Sequence, residues 1–211
     1  MPDLLAGFRS LPPYGIAGVV VLLLYAAQSE LRFGRRARAI FAGPQDRGST
    51  IAVSLSAVVP LLGFALALKV RSASSLTLQR SWLGQGGAIP GMPAVAWAGV
   101  GIGALGILVR LWAVLALRER YTRTLQVGDD HAIERGGPYR LVRHPGYLGS
   151  LLCLNGLALA SGNAPVLVAS VVTTLAAYAY RIRVEDAMLV SRFGEAYELY
   201  RREVRALVPF L

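Results

Sequence analysis

The sequence is poor in charge and nearly free of lysine. Only 16% of its 211 residues are Asp, Glu, Lys or Arg, compared with about 25% in an average soluble domain, and Lys69 is the one lysine. Cys153 is the one cysteine, so an intramolecular disulfide is excluded. The low charge argues against a soluble globular protein, and the cysteine usage carries no information about the cellular compartment.

Apolar residues, by contrast, make up 55% of the chain and occur in long blocks. A helix that spans a membrane needs roughly 20 mostly apolar residues. Three blocks are about that long: 11–31, 51–68 and 93–117. Two further blocks, 147–160 and 165–180, are shorter. The sequence therefore predicts an all-α polytopic membrane protein with about five transmembrane helices.

The last two blocks are separated only by residues 161–164, Ser-Gly-Asn-Ala, which is a turn-forming composition. We therefore expect the fourth and fifth helices to form a tight hairpin. The whole chain, 1–211, is expected to be one membrane-embedded domain, with three spans in 1–117 and a loop, the hairpin and a tail in 118–211. The charged residues directly after the first block favour a retained helix over a cleaved signal peptide.

The charge that is present is strongly basic, with 22 basic and 12 acidic residues and a formal net charge of +10. Such a balance suggests nucleic acid or anionic lipid as a partner, and the apolar blocks favour lipid over nucleic acid. Arginines concentrate in 32–48, 118–146 and 181–211. By the positive-inside rule, the amino terminus is expected outside and the carboxyl terminus in the cytoplasm. The preference for arginine over lysine suggests a bacterial inner membrane.

The third block contains a literal G-x-G-x-x-G, the pattern of a dinucleotide-binding turn, at residues 101–106. That turn requires a preceding strand and an acidic residue about 20 positions later, and neither is predicted here. Gly99 and Gly103 form instead the G-x-x-x-G spacing that lets transmembrane helices approach closely. We interpret these glycines as helix-packing residues.

Both histidines of the chain, His131 and His144, lie in one stretch just before the fourth block. Pro145 predicts that His144 is extended and that a helix begins at the proline. We expect free amides at this helix start, which together with the charge of Arg143 favour an anion. The two histidines lack a compact ligand spacing, so no metal site is predicted.

A second polar group follows the fifth block, where Arg181 and Glu185 lie one helical turn apart and Asp186 comes next. We expect loss of Glu185 to leave Arg181 unpaired. The short hairpin turn places this acidic group at the same membrane level as the histidine stretch. A cationic and aromatic patch would then face an acidic patch, an arrangement that suits a zwitterionic ligand.

The tail after Met188 predicts an amphipathic helix that lies on the cytosolic membrane surface and is interrupted near Gly194. Its apolar positions recur at helical spacing, and its arginines occupy the other faces. The apolar positions are Leu189, Phe193, Tyr197, Tyr200 and Val204.

In these motifs the sequence resembles the isoprenylcysteine carboxyl methyltransferase and phospholipid methyltransferase family, integral membrane enzymes that use S-adenosylmethionine. The resemblance covers about residues 118–211. It rests on the spacing of His131, Gly137, Tyr139, Arg143-His144-Pro145, Tyr147, Arg181 and Glu185-Asp186, and on the tail residues Phe193-Gly194-Glu195, Tyr197, Tyr200 and Val208-Pro209-Phe210. The chain departs from the family at Asp186, where a second glutamate is usual.

The resemblance implies a cofactor pocket at the cytosolic membrane face, closed by the tail helix and open to the bilayer for a lipophilic acceptor. Arg181 and Glu185 are the expected catalytic residues, and Arg110, inside the third span, is a candidate for binding the acceptor. The expected cofactor-binding residues are His131, Gly137, Tyr139, Arg143, His144, Pro145, Tyr147, Glu185 and Asp186.

The acceptor and the oligomeric state stay open. A prenylated cysteine carboxylate, a phospholipid amine and a small thiol are all compatible with the motifs. An amine would need a base, for which Glu185 or His131 is a candidate. Arg110 is equally compatible with snorkelling to the membrane surface.

Two other functions remain as alternatives. One is an NADPH-dependent membrane reductase of the sterol-reductase type. The other is a small non-enzymatic transporter or assembly factor that uses Arg110 and the glycine-rich third span. The Arg143-His144-Pro145 run and the chain length favour the methyltransferase.

Overall fold

The computed structural model describes residues 13–29, 46–71, 87–117 and 133–207. Within these ranges the protein consists of six α-helices and one 3₁₀ turn over Gly137–Arg140. The helices are α1 (Pro13–Ser29), α2 (Ser49–Arg71), α3 (Ala94–Leu117), α4 (Pro145–Ala160), α5 (Ala164–Phe193) and α6 (Glu195–Glu203). The predicted all-helical membrane fold is therefore confirmed.

The helices differ in whether they are long enough to cross a bilayer. Three segments, Ser49–Ala67, Ala94–Leu117 and Ala164–Phe193, are long and apolar enough, whereas α1 and α4 are apolar but shorter. The fifth helix is longer than predicted, because the sequence contains no proline or glycine between Tyr180 and Gly194. Residues 188–193, expected in a separate tail helix, therefore continue α5.

The two central helices, α3 and α4, pack backbone to backbone through glycine. A Cβ atom built on Gly99 would lie 2.4 Å from the amide nitrogen of Ala160, and one on Gly106 would lie 2.5 Å from that of Cys153. On α4, a Cβ on Gly156 would lie 2.5 Å from the Gly103 nitrogen. Gly99 and Gly103 are packing residues, as predicted, and Gly106 and Gly156 share the contact, which we call the glycine seam.

The predicted hairpin of α4 and α5 is present. Helix α4 ends at Ala160, and the side chain of Asn163 accepts a hydrogen bond from the amide of Val166 at 3.1 Å, which caps the start of α5. Gly162 has a φ of 63°, a conformation that favours glycine. The hairpin brings the start of α4 and the far end of α5 to one end of the bundle, which we call the polar end.

The chain reverses direction at Gly194, which has a φ of 54°. Helix α6 then folds back, and residues after it run along the start of α4. The amides of Arg143 and His144 donate to the carbonyls of Arg205 and Ala206 at 2.8 and 3.0 Å. The tail thus covers the polar end rather than extending away from it.

Candidate functional site

The polar end is built around the corner Arg143-His144-Pro145. Pro145 is the first residue of α4 and His144 is its N-cap, as the sequence predicts. Most of the expected free amides are occupied, however. The amides of Tyr147 and Leu148 donate to the His144 carbonyl at 3.0 Å, and those of Arg143 and His144 are taken by the tail. Among the described amides of this corner only that of Gly146 has no backbone acceptor, so the helix start by itself offers fewer donors to an anion than expected.

Ahead of the corner, Gly137 opens the 3₁₀ turn with a φ of 54°, which favours glycine at this position. A Cβ there would approach the indole nitrogen of Trp112 to 3.4 Å, so the turn lies against the end of α3. Tyr139 follows in the same turn, and its carbonyl accepts a hydrogen bond from the Tyr200 hydroxyl. His131 lies outside the residues that the structure describes, as do Val208, Pro209 and Phe210.

His144 lies between the two carboxylates of α5. Its Nε2 is 3.0 Å from Asp186 Oδ1, and its Nδ1 is 3.4 Å from Glu185 Oε2. The side chain is only 4% exposed and its ring stacks on Tyr147, with centroids 5.4 Å apart. Burial alone would lower the pKa of His144, but the bond to Asp186 and the proximity of Glu185 raise it to about 9. His144 is therefore a cation at neutral pH.

Asp186 is the carboxylate that joins the corner to the tail. Its Oδ2 accepts from Arg143 Nη2 at 3.1 Å, and its Oδ1 accepts from the Tyr197 hydroxyl at 2.6 Å. Burial and the bond to this carboxylate both raise the pKa of Tyr197. From its place on α5, the short side chain of Asp186 thus contacts both the corner and α6. Tyr197 was assigned from the sequence to an apolar face, and its hydroxyl contact was missed.

Arg181 is held by the carboxylate of Asp46, which the sequence motifs do not identify as a site residue. Its Nη1 binds Asp46, just before α2, and the two side chains are 6% and 1% exposed. Removal of Glu185 would therefore not leave Arg181 without a carboxylate partner, and that expectation is wrong. Arg181 Nε also donates to the Tyr147 hydroxyl at 2.9 Å, so it connects α2, α4 and α5.

Asp46 serves at the same time as the cap of α2. Its carboxylate accepts from the amide of Thr50 at 3.0 Å and from the hydroxyls of Ser49 and Thr50 at 3.0 and 2.7 Å. Although burial alone would raise the pKa of Asp46, these bonds and Arg181 lower it. In the sequence, Asp46 lies shortly before a Ser-Thr pair and an apolar run, which is a helix-start signal. This signal could have identified Asp46 as a cap, but it does not indicate that Asp46 binds Arg181.

The tail holds the corner through backbone carbonyls as well as through Tyr197. Arg143 Nη1 donates to the carbonyls of Val204 and Arg201. Together with the Asp186 contact, these bonds hold the Arg143 side chain between α5 and the end of α6. The predicted cationic and acidic patches are thus brought together, but they bind each other and the tail.

Arg110 lies deeper in the bundle and has partners there. Its Nη1 donates to Ser150 Oγ at 2.7 Å, and its guanidinium lies over the Tyr25 ring at 5.3 Å. A ring contact of 5.4 Å between Tyr147 and Tyr178 connects this region to the polar end. Arg110 therefore does not belong to the group of side chains around the corner, which we call the corner cluster: Arg143, His144, Glu185 and Asp186.

Several known proteins are similar to this chain. Residues 94–196 match the family model described as phospholipid methyltransferase. A probable protein-S-isoprenylcysteine O-methyltransferase of Oryza sativa subsp. indica is 30% identical over 119 residues, which are 56% of this chain and 62% of that protein. A protein-S-isoprenylcysteine O-methyltransferase of Schizosaccharomyces pombe is 35% identical over 85 residues, 39% of this chain and 35% of that protein.

A similar fold is found in a solved structure, that of the eukaryotic intramembrane Ras methyltransferase ICMT. The TM-score is 0.57 at 22% identity, over 92% of this chain and 62% of that one. The chain spans about three fifths of the length of both the rice relative and this structure.

Proposed function

We propose that the chain belongs to the family of membrane methyltransferases that includes the phospholipid and isoprenylcysteine enzymes, and that it transfers a methyl group from S-adenosylmethionine to a lipophilic acceptor. The matches to the phospholipid methyltransferase model and to the isoprenylcysteine O-methyltransferases support this proposal. The observation that carries the proposal is the contact between the Arg143-His144 corner and the Glu185-Asp186 pair. Both halves lie within the segment that matches the family model.

The polar end has the donor and acceptor chemistry that this zwitterionic methyl donor requires. Glu185 Oε2 is buried and, within the part of the chain that the structure describes, accepts no hydrogen bond. It is 3.4 Å from His144 Nδ1 as an ion pair, so it retains capacity for an ammonium or a ribose hydroxyl. Arg143 Nε is likewise a buried donor without an acceptor among these residues and suits a carboxylate.

We assign the roles accordingly. Arg143 would bind the carboxylate, Glu185 the ammonium or a ribose hydroxyl, and the ring of Tyr147 the sulfonium. Six further residues would shape the pocket: His131, Gly137, Tyr139, His144, Pro145 and Asp186. When bound, the sulfonium supplies an electrophilic methyl group with a good leaving group.

The protein's contribution would be positioning and exclusion of water. Arg181 acts through Asp46 and Tyr147 and is better described as a positioning residue than as the catalytic residue predicted from the sequence. His144, as a cation, cannot accept a proton near pH 7. Glu185 is then the candidate base for an amine acceptor, whereas a carboxylate or thiolate acceptor needs none.

For the acceptor we propose a prenylcysteine-like carboxylate, which is supported by the names of the relatives. Arg110 would bind this carboxylate from within the bundle. Arg110→Ala is then expected to raise the KM for the acceptor and to leave the affinity for S-adenosylhomocysteine unchanged. Loss of S-adenosylhomocysteine binding in this variant would place the cofactor pocket deeper in the bundle.

We further propose that residues 1–211 act as one domain in a bacterial inner membrane, with the amino terminus outside and the polar end in the cytoplasm. Cysteines introduced at exposed positions 140 and 203 test the orientation. In intact cells neither should react with an impermeant reagent, and reaction of both would reverse the orientation.

Calorimetry and a transfer assay on the full chain in lipid nanodiscs test the activity. We expect S-adenosylhomocysteine to bind and NADPH not to bind. Radiolabelled methyl transfer is measured to a farnesylated cysteine derivative, to phosphatidylethanolamine and to a small thiol. Asp186→Asn should abolish transfer, while Glu195→Gln, at an exposed position of α6, should not change it. Binding of NADPH alone would favour the reductase, and binding of neither compound would contradict an enzyme of either class.

A further inference from the structure

Beside the corner cluster, the polar end contains an open cleft of about 550 Å³ whose charge is almost entirely positive. One carboxylate contributes to it, against four guanidinium groups. The lining residues are Arg143, Glu198, Arg201, Arg202, Arg205 and Ala206. We call this the arginine cleft.

Of the four arginines that line the arginine cleft, only Arg143 is committed to the network around His144, through its bond to Asp186. Arg202 and Arg205 are exposed, and their side chains have no carboxylate partner in the described ranges. Arg201 approaches Asp186 only to 3.8 Å and is 44% exposed. A cleft of this charge would repel the sulfonium of the methyl donor, and it attracts an anion instead.

The position of the cleft indicates where the anion comes from. Helix α6 begins at Glu195, directly after the candidate span α5 ends at Phe193, so the cleft lies at the membrane end of the bundle. Leu199, 47% exposed, lies three residues from Arg202 and hence on a neighbouring part of the same helical face. An exposed apolar side chain beside basic ones is typical of a helix at a lipid surface.

We propose that the arginine cleft binds the phosphate of an anionic phospholipid from the surrounding bilayer. Guanidinium groups bind phosphate oxygens in pairs of hydrogen bonds, and Leu199 would contact the acyl region. Arg143 lines both the cleft and the proposed cofactor site. Arg202 and Arg205 belong to no part of that site, so lipid binding through them does not rest on methyl transfer.

The proposal is tested with the full chain in a neutral detergent. Dioctanoyl phosphatidylglycerol, dioctanoyl phosphatidylcholine and inorganic phosphate are titrated separately, and thermal unfolding and tryptophan fluorescence report binding. The test variant is the double substitution Arg202→Ala and Arg205→Ala. The control is Arg140→Ala with Arg183→Ala, which removes the same charge from exposed positions outside the cleft. Binding of S-adenosylhomocysteine is measured for each variant.

We expect phosphatidylglycerol to bind the unmodified chain at least tenfold more tightly than phosphatidylcholine or phosphate. The cleft variant should lose at least tenfold in affinity for phosphatidylglycerol, and the control should change less than twofold. S-adenosylhomocysteine binding should be the same in all three proteins.

Three results would overturn the proposal. Equal losses in the cleft variant and the control would mean that only net charge matters. Inorganic phosphate binding as tightly as the lipid would assign the cleft to a soluble anion. Loss of S-adenosylhomocysteine binding in the cleft variant would make the cleft part of the cofactor site. If instead the methyltransferase assignment is wrong, the unmodified chain itself will not bind S-adenosylhomocysteine, so the two failures are distinguishable.

Discussion

The glycine seam and the polar end share helix α4 but hold their helices together by different physical means. In the seam, α3 and α4 touch through backbone atoms with no side chain between them, so the contact depends on shape and is insensitive to pH. At the polar end, α2, α4, α5 and α6 are joined by charged side chains, so the contact depends on protonation. The close backbone contact of the seam and the ionisable network of the polar end thus meet along one helix, α4.

The largest effect is expected from breaking the buried ion pair of the polar end. Asp46→Ala leaves Arg181 buried without this carboxylate and removes the cap of α2, which should cost about 3 kcal/mol of stability. Denaturant unfolding in detergent measures the loss. Combining Asp46→Ala with Arg181→Met should restore part of it, because the uncompensated charge is gone. A double variant less stable than Asp46→Ala alone would contradict this reading.

A single methyl group should break the glycine seam. In Gly106→Ala the new Cβ would lie 2.5 Å from the Cys153 amide nitrogen and from the Gly149 carbonyl oxygen, so the helices must separate, at a cost of about 2 kcal/mol. Gly101→Ala is the matched control in the same helix, because nothing lies within 4 Å of its Cβ. We expect it to be neutral or slightly stabilising. Equal thermal stability of the two variants would show that the seam does not need glycine.

Glu185→Gln should affect cofactor binding and turnover more than it affects helix packing. The substitution keeps the size of the side chain but removes the charge beside His144, and we expect at least a tenfold loss of S-adenosylhomocysteine affinity or of turnover, about 1.4 kcal/mol. Calorimetry and the transfer assay measure it, and Glu203→Gln on exposed α6 is the control. Unchanged binding and turnover would reduce the acidic pair to a structural ion pair.

The smallest effect, a dependence on pH, should be confined to the polar end. The folded state raises the pKa of His144 from 6.5 to about 9, so its stabilisation is complete below pH 6.5 and is lost as the pH rises through 9. From pH 7 to 8 the cost is about 1 kcal/mol. Thermal unfolding should show this decline in the wild type and in Gly106→Ala, but not in His144→Gln. The same slope in His144→Gln would assign the dependence to another group.

Much of the fold was predictable because its signals are local. The hairpin turn needs only Ser161–Ala164 and the cap at Asn163, and the corner needs only Pro145 after His144. The glycine seam was also predictable in kind, since G-x-x-x-G allows close approach in any helix of a membrane bundle. The extension of α5 to Phe193 was not predicted, because the hydrophobic block ends before the helix does.

By itself, the sequence determined where the apolar helices lie and where α4 begins, because each of these depends on neighbours within a few positions. Only the tertiary structure decided what the polar residues bind. Arg181 binds Asp46, 135 positions away, and the amides before α4 bind carbonyls of the tail. The same packing turned two patches expected to face a ligand into partners of each other. The physical reason is that buried charges and amides must be satisfied by whatever the packed helices bring within about 3 Å, and spacing along the chain does not specify that neighbour.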